Sequence, residues 1–289
     1  MKFVTYNYNG TEYVGVLTND ETSVIPASEF GLKAGSMLEL IKELDGSYPA
    51  IPTQAKSIAL SAVKLEAPIP EPRQDVICLG LNYRDHVEEA TRADAVFDVQ
   101  RGDAVYFSKR LQRAVAPGGE IDGHFDICDS LDYEVELGVV IGRDAKNVKA
   151  ADAGKYIFGY TIINDVSARN LQTRHKQWYF GKSLDDFTPM GPCILSADEV
   201  GAMPELDIRC YVNGEKRQDS NTRMMIFDIP YIIEELSAGM TLKAGTVIAT
   251  GTPSGVALGM PPEVQKYLES GDVVRCEIDG IGVLENTIA

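Results

Sequence analysis

Residues 131–141 read Leu-Asp-Tyr-Glu-Val-Glu-Leu-Gly-Val-Val-Ile, with Leu131, Tyr133, Val135, Leu137, Val139 and Ile141 at every second position. A period of two puts these six side chains on one face of a strand, so the stretch belongs in a sheet that covers a core. Similar signals surround it. Runs rich in β-formers at 3–6 and 12–17 flank Asn9-Gly10, a dipeptide suited to a tight hairpin turn. Residues 156–165 form an apolar run closing on Asp165, and 206–212 alternate before Asn213-Gly214. Residues 246–250 precede a Gly-Thr-Pro loop, and 272–278 are set to pair with 281–288 across Asp279-Gly280. Helices are few. One is expected over 37–44, where Ser36 and Glu39 make a capping box, and one over 228–236, striped by Ile229, Ile232, Ile233 and Leu236. Strands and helices do not alternate regularly, which argues against a doubly wound parallel sheet and for a mainly β fold of α+β class.

Pro68, Pro70 and Pro72 interrupt any helix or sheet interior, so they mark the expected boundary. A small α/β N-terminal domain over 1–70 and a main domain over 73–289 follow from it. The balance of 27 Lys and Arg against 43 Asp and Glu gives −16, which argues against nucleic acid as the main partner. Five cysteines, with no CxxC pair, read as buried thiols of a reduced intracellular protein. The N-terminus lacks the apolar segment of a signal peptide, and no apolar run approaches the roughly 18 residues that span a bilayer. The expectation is a cytoplasmic protein with no membrane partner.

Common motifs fail here. Gly181-Lys182-Ser183 would end a phosphate-binding loop only if residue 176 were glycine, and it is Lys176. Three histidines (86, 124 and 175) leave no room for a multi-histidine metal site, so any cation is held by oxygen, which favours Mg²⁺, Mn²⁺ or Ca²⁺. Glu134 and Glu136 leave one face of the strand at 131–141 about 7 Å apart. They are either a solvated face or a pair that a divalent cation would reconcile. Asp165 at a strand end adds a third carboxylate, and three oxygen ligands leave places for water and substrate. His86 and Glu89 stand at i and i+3, where Glu89 would orient the imidazole; the bland alternative is an exposed histidine in an acidic helix. Lys182 by itself reads as a surface lysine.

In order along the chain, the segments Gly80-Leu-Asn-Tyr-Arg-Asp-His86, Leu131-Asp-Tyr-Glu-Val-Glu-Leu137, Gly159-Tyr-Thr-Ile-Ile-Asn-Asp-Val-Ser-Ala-Arg169, Gln177-Trp-Tyr-Phe-Gly-Lys-Ser183 and Thr250-Gly-Thr-Pro253 resemble the fumarylacetoacetate hydrolase family. The resemblance implies the family's mixed β-sandwich roll behind a small domain, and a homodimer. It assigns Glu134, Glu136 and Asp165 to a metal, usually Mg²⁺ or Mn²⁺, and His86 with Glu89 to water activation. It places Arg169, Gln172 and Lys182 around developing negative charge and Thr252 against a small keto-acid substrate. Two departures stand out. Asn170 replaces a common Asp, which would loosen the surroundings of Asp165, and Arg110 follows Lys109 where proline is common. Arg110 and Arg113 are therefore either candidates to recognise a second substrate carboxylate or a solvated basic stretch.

The activity expected is metal-dependent hydrolysis of a carbon–carbon bond in a 1,3-diketo acid, an acylpyruvate or fumarylpyruvate, through an enolate on the cation. Oxaloacetate decarboxylation and isomerisation of 2-hydroxyhepta-2,4-diene-1,7-dioate are the family alternatives, and a non-catalytic metal or ligand binder is the alternative from another class. The acidic stretch 87–103 is expected to be a lid that brings Glu89 to His86.

Overall fold

A computed structural model describes residues 1–87 and 102–289. Glu89 and almost all of the expected lid lie outside the described residues.

The alternating segment divides in two. Leu131–Asp132 pairs with Ser167–Ala168, and Val135–Ile141 runs through the middle of a larger sheet. That sheet orders Ile58–Ala59, Ser23–Pro26, Thr11–Leu17, Lys2–Tyr8, Met190–Ser196, Ile157–Asn164, Val135–Ile141, Val247–Ala249, Val76–Gly80 and Val105–Lys109, with Lys64–Leu65 against Lys2–Tyr8. The residues before the prolines do not close on themselves, because Lys2 and Phe3 pair with Leu195 and Ile194 and extend the main sheet. Five strands form a second sheet: Glu215–Asn221, Asp207–Val212, Val273–Ile278, Gly282–Ile288 and Glu120–Ile121. The expected hairpins at Asn9-Gly10, Asn213-Gly214 and Asp279-Gly280 are all present.

The two faces of Val135–Ile141 explain the architecture. Val135, Leu137, Val139 and Ile141 enter the core between the sheets, alongside Ile208, Cys210, Val274 and Leu284. Val140 enters a second core with Phe3, Phe158 and Ile194, which the helix Met37–Leu44 covers through Met37, Leu40, Ile41 and Leu44. Ser36 Oγ accepts the Glu39 N–H, while the Glu39 carboxylate accepts from Gly35 N–H rather than closing back on Ser36. The other expected helix runs over Ile229–Gly239, capped by Asp228 on Tyr231 N–H. Both faces of the central strand are therefore buried, and of the two readings of Glu134 and Glu136 the solvated face falls away: both sit inside the protein. Ionised carboxylates in that position require compensating charge.

Candidate active site

The compensation comes from sequence-distant elements. Asp165, just past Ile157–Asn164, lies next to Glu134 and Glu136, and one ligand oxygen from each of the three falls within 4.8 Å of the others. Lys182 sends Nζ to Glu134 Oε2 and Asp165 Oδ2, both at 2.7 Å. Lys109, at the end of Val105–Lys109, holds the other Asp165 oxygen at 2.6 Å and anchors itself on Val166 O. Arg169 opens the helix Arg169–Arg174, lies 2.6 Å from Glu134 Oε1, and donates from Nε to Asp132 Oδ2 at 2.8 Å. The result is a buried chain of alternating charge: Lys109, Asp165, Lys182, Glu134, Arg169, Asp132. Its far end is pinned, because Asp132 also accepts the backbone N–H groups of Tyr133, Ala257 and Leu258.

Three cations match three carboxylates in this chain, and Glu136 is left over. It accepts Gly251 N–H at 2.8 Å and has no cation in contact among the described residues. Gly251 is a glycine for two reasons: its φ is +96°, and a Cβ there would come 2.8 Å from Asn82 Cβ. The titration behaviour follows from this asymmetry. Burial would raise the Glu134 carboxyl, but Lys182 and Arg169 outweigh it and hold the group low. Burial raises Glu136 well above the glutamate range, and the charges of Asp165 and Glu134 push the same way. Burial would lower Lys182, yet Asp165 and Glu134 keep it above the usual lysine value, so it stays an ammonium.

A buried carboxylate without a counter-cation, beside two others, fits a hard divalent cation held by oxygen. A pH effect follows. The folded protein without metal keeps a proton on Glu136 that the unfolded chain releases above the ordinary glutamate range. Folded stability of that form should therefore fall as pH rises from that range through the raised value. A cation replaces the proton, so the melting shift produced by Mn²⁺ should grow with pH over the same window. Melts with and without Mn²⁺ at a series of pH values measure this, and a shift independent of pH would contradict it.

Most of the residues expected from sequence meet in one cleft. Its walls include His86, Glu134, Glu136, Arg169, Gln172, Lys182 and Thr252, with Leu79, Phe107, Trp178 and Leu258 as apolar surface. Asn82 fixes the approach of the His86 segment by donating to Thr250 O and Phe227 O and accepting Phe227 N–H. Gln172 Oε1 accepts from Arg169, which leaves its amide N–H groups for another acceptor. Thr252 Oγ1 donates to Val135 O and accepts from Gln218 Nε2, so its hydroxyl proton is already committed.

Three expectations need correction. Arg113 faces Glu12 and Glu71, which are exposed, and the half-buried Glu66. Arg110 is exposed, its backbone N–H donates to Ser183 Oγ, and neither arginine lines the cleft. Asn170 does not loosen Asp165; its amide reaches Ile127 O, and Lys109 and Lys182 do the holding. Sequence reading missed Asp132, Lys109 and Gln218. Asp132 carried a signal, since 132, 134 and 136 share one parity along the strand, whereas Lys109 looks like any lysine at a strand end.

The family model described as fumarylacetoacetate (FAA) hydrolase C-terminal matches residues 75–289. The chain belongs to the fumarylacetoacetate hydrolase family. It is 40% identical over 307 residues to the oxaloacetate tautomerase YisK of Bacillus subtilis (strain 168), covering 100% of both chains. Among solved structures, a fumarylacetoacetate hydrolase from the psychrophile Exiguobacterium antarcticum is similar at TM-score 0.86 and 37% identity, covering 100% of this chain and 99% of that one. A 2-hydroxyhepta-2,4-diene-1,7-dioate isomerase from Mycobacterium marinum is similar at TM-score 0.76 and 30% identity, covering 100% and 98%. Family members with these names include hydrolases, isomerases and a tautomerase, and their sandwich of mixed sheets is the fold found here. Among the described residues no helix is long and apolar enough to cross a membrane.

Proposed function

We propose that this protein interconverts the keto and enol forms of a short 2-keto diacid of the oxaloacetate class, with a divalent cation at Glu134, Glu136 and Asp165. The observation that carries the reading is the Lys182 ammonium, held 2.7 Å from both Glu134 and Asp165 in the cleft wall. A fixed positive group there meets the oxygen on which negative charge develops when a proton leaves C3 of the substrate. The full-length similarity to an oxaloacetate tautomerase supports the same choice of chemistry.

A bound divalent cation supplies a Lewis acid for the keto-acid oxygens. The chain's own residues supply the rest. His86, in the cleft wall, takes the proton from C3. Lys182 steadies the charge that forms on the C2 oxygen, and Arg169 keeps Glu134 ionised beside it. Return of the proton to that oxygen rather than to C3 completes the interconversion. Gln172, oriented by Arg169, donates an amide N–H to the substrate's second carboxylate. The apolar walls formed by Leu79, Phe107, Trp178 and Leu258 limit water around these charges.

Hydrolysis of an acylpyruvate is the second reading. His86 in the cleft favours it, and it requires Glu89 as the partner that orients the imidazole. One assay separates the two. The enol absorbance of freshly dissolved oxaloacetate is followed with Mg²⁺ or Mn²⁺ and with EDTA, beside acetylpyruvate under the same conditions. Cation-dependent loss of enol absorbance with acetylpyruvate intact is the expected result. Faster cleavage of acetylpyruvate would transfer the assignment to the hydrolase.

A further inference from the structure

The apolar wall of the cleft contains the only tryptophan of the chain, Trp178. Two neighbours fix its indole. A Cβ on Gly80 would lie 2.3 Å from indole Cζ3 and 2.6 Å from Cη2, closer than any side chain can approach, so the ring rests on bare backbone. Gly80 pairs with Val105 and is not among the residues with positive φ, so its own conformation does not require glycine; the indole does. On the other side Phe107 meets the indole edge to face, with centroids 5.3 Å apart and planes at 67°. The Phe107 ring also lies 5.2 Å from Lys182 Nζ, which ties the aromatic pair to the ion chain.

Gln172, the donor for a second substrate carboxylate, is tied to the carboxylate cluster through Arg169, which orients it and also touches Glu134. Arg169 and Gln172 share the short helix Arg169–Arg174, and Arg169 itself touches Glu134 at 2.6 Å. The Trp178 and Phe107 rings line the same cleft as Gln172 and the carboxylates, so a longer diacid shares its space with them.

We propose that Trp178, seated on Gly80 and braced by Phe107, sets the length of substrate the cleft accepts, admitting a four-carbon keto diacid and excluding longer ones. The proposal rests on the keto-diacid reading above and adds a residue that determines specificity. In a hydrophobic pocket one methylene is worth about 10–200-fold in discrimination, so removing the indole should be visible as a change of that order.

Binding tests this without requiring turnover. The Mg²⁺-loaded protein is titrated with oxalate as a short reference, then with oxaloacetate, 2-oxoglutarate and 2-oxoadipate. Calorimetry serves all variants, and emission of the single tryptophan serves those that retain it. The wild type should bind oxaloacetate at least about ten-fold tighter than 2-oxoadipate and change its emission on binding. Trp178→Ala should reduce that preference to within about three-fold while oxalate still binds. Gly80→Ala should do the same with the indole present but displaced, and its emission should differ from wild type before any ligand is added. A preference that survives in both variants, or is absent from the wild type while oxalate binds, overturns the role of Trp178 alone. Failure of oxalate and all three keto diacids to bind the wild type overturns that role and the keto-diacid function together.

Discussion

Lys182→Met should lower turnover by about 10²–10³-fold, the loss typical when one preorganised charge donor is removed from a site that stabilises an oxyanion. Methionine fills much of the same buried volume, but Glu134 and Asp165 lose a counter-charge, so the comparison is made on cation-loaded protein, where the cation supplies it. Affinity for the cation should hold or rise, because the ammonium and the cation compete for Glu134 and Asp165. Steady-state kinetics paired with metal titration of the same variant measures both effects. A variant that loses metal binding and turnover in parallel would make Lys182 a structural counter-ion only.

A large loss of stability should come from Asp132→Ala. The carboxylate is fully buried, pairs with Arg169 and accepts three backbone N–H groups. Removing it leaves the buried guanidinium with less compensation and those amides without an acceptor, which costs about 3–5 kcal/mol. Asp132→Asn keeps the shape and one acceptor oxygen and should lose clearly less. Urea unfolding of the two variants checks the ranking, and a loss below about 1 kcal/mol in the alanine variant would show that the pinned end of the ion chain contributes little.

The contrast between these two residues shows what the sequence disclosed. Period-two alternation over 131–141 marked the central strand and put Glu134 and Glu136 on one side, because strand geometry is local. The same alternation could not show that this side is buried, since the second core and the cleft are built from elements far along the chain. Asp165 stood out locally as a carboxylate closing an apolar run, whereas Lys182 came from a resemblance of ordered segments. Lys109 reaches Asp165 across 56 positions, and a buried lysine has no signature that separates it from a surface one. The pairing of Lys2–Tyr8 with Met190–Ser196 was invisible for the same reason: hairpins declare themselves through their turns, while long-range strand pairs do not. Of the two readings of Arg113, the solvated one holds, because Glu12 and Glu71 meet it at the surface.

Proton exchange at C3 of oxaloacetate in D₂O, followed by nuclear magnetic resonance with the Mg²⁺-loaded protein, tests the central claim most directly. Deuterium should enter C3 well above the uncatalysed rate and well before pyruvate accumulates, and the acceleration should disappear with EDTA or with Lys182→Met. Pyruvate formed ahead of any accelerated exchange, or exchange at the uncatalysed rate with the cation bound, would contradict keto–enol interconversion as the work of this site.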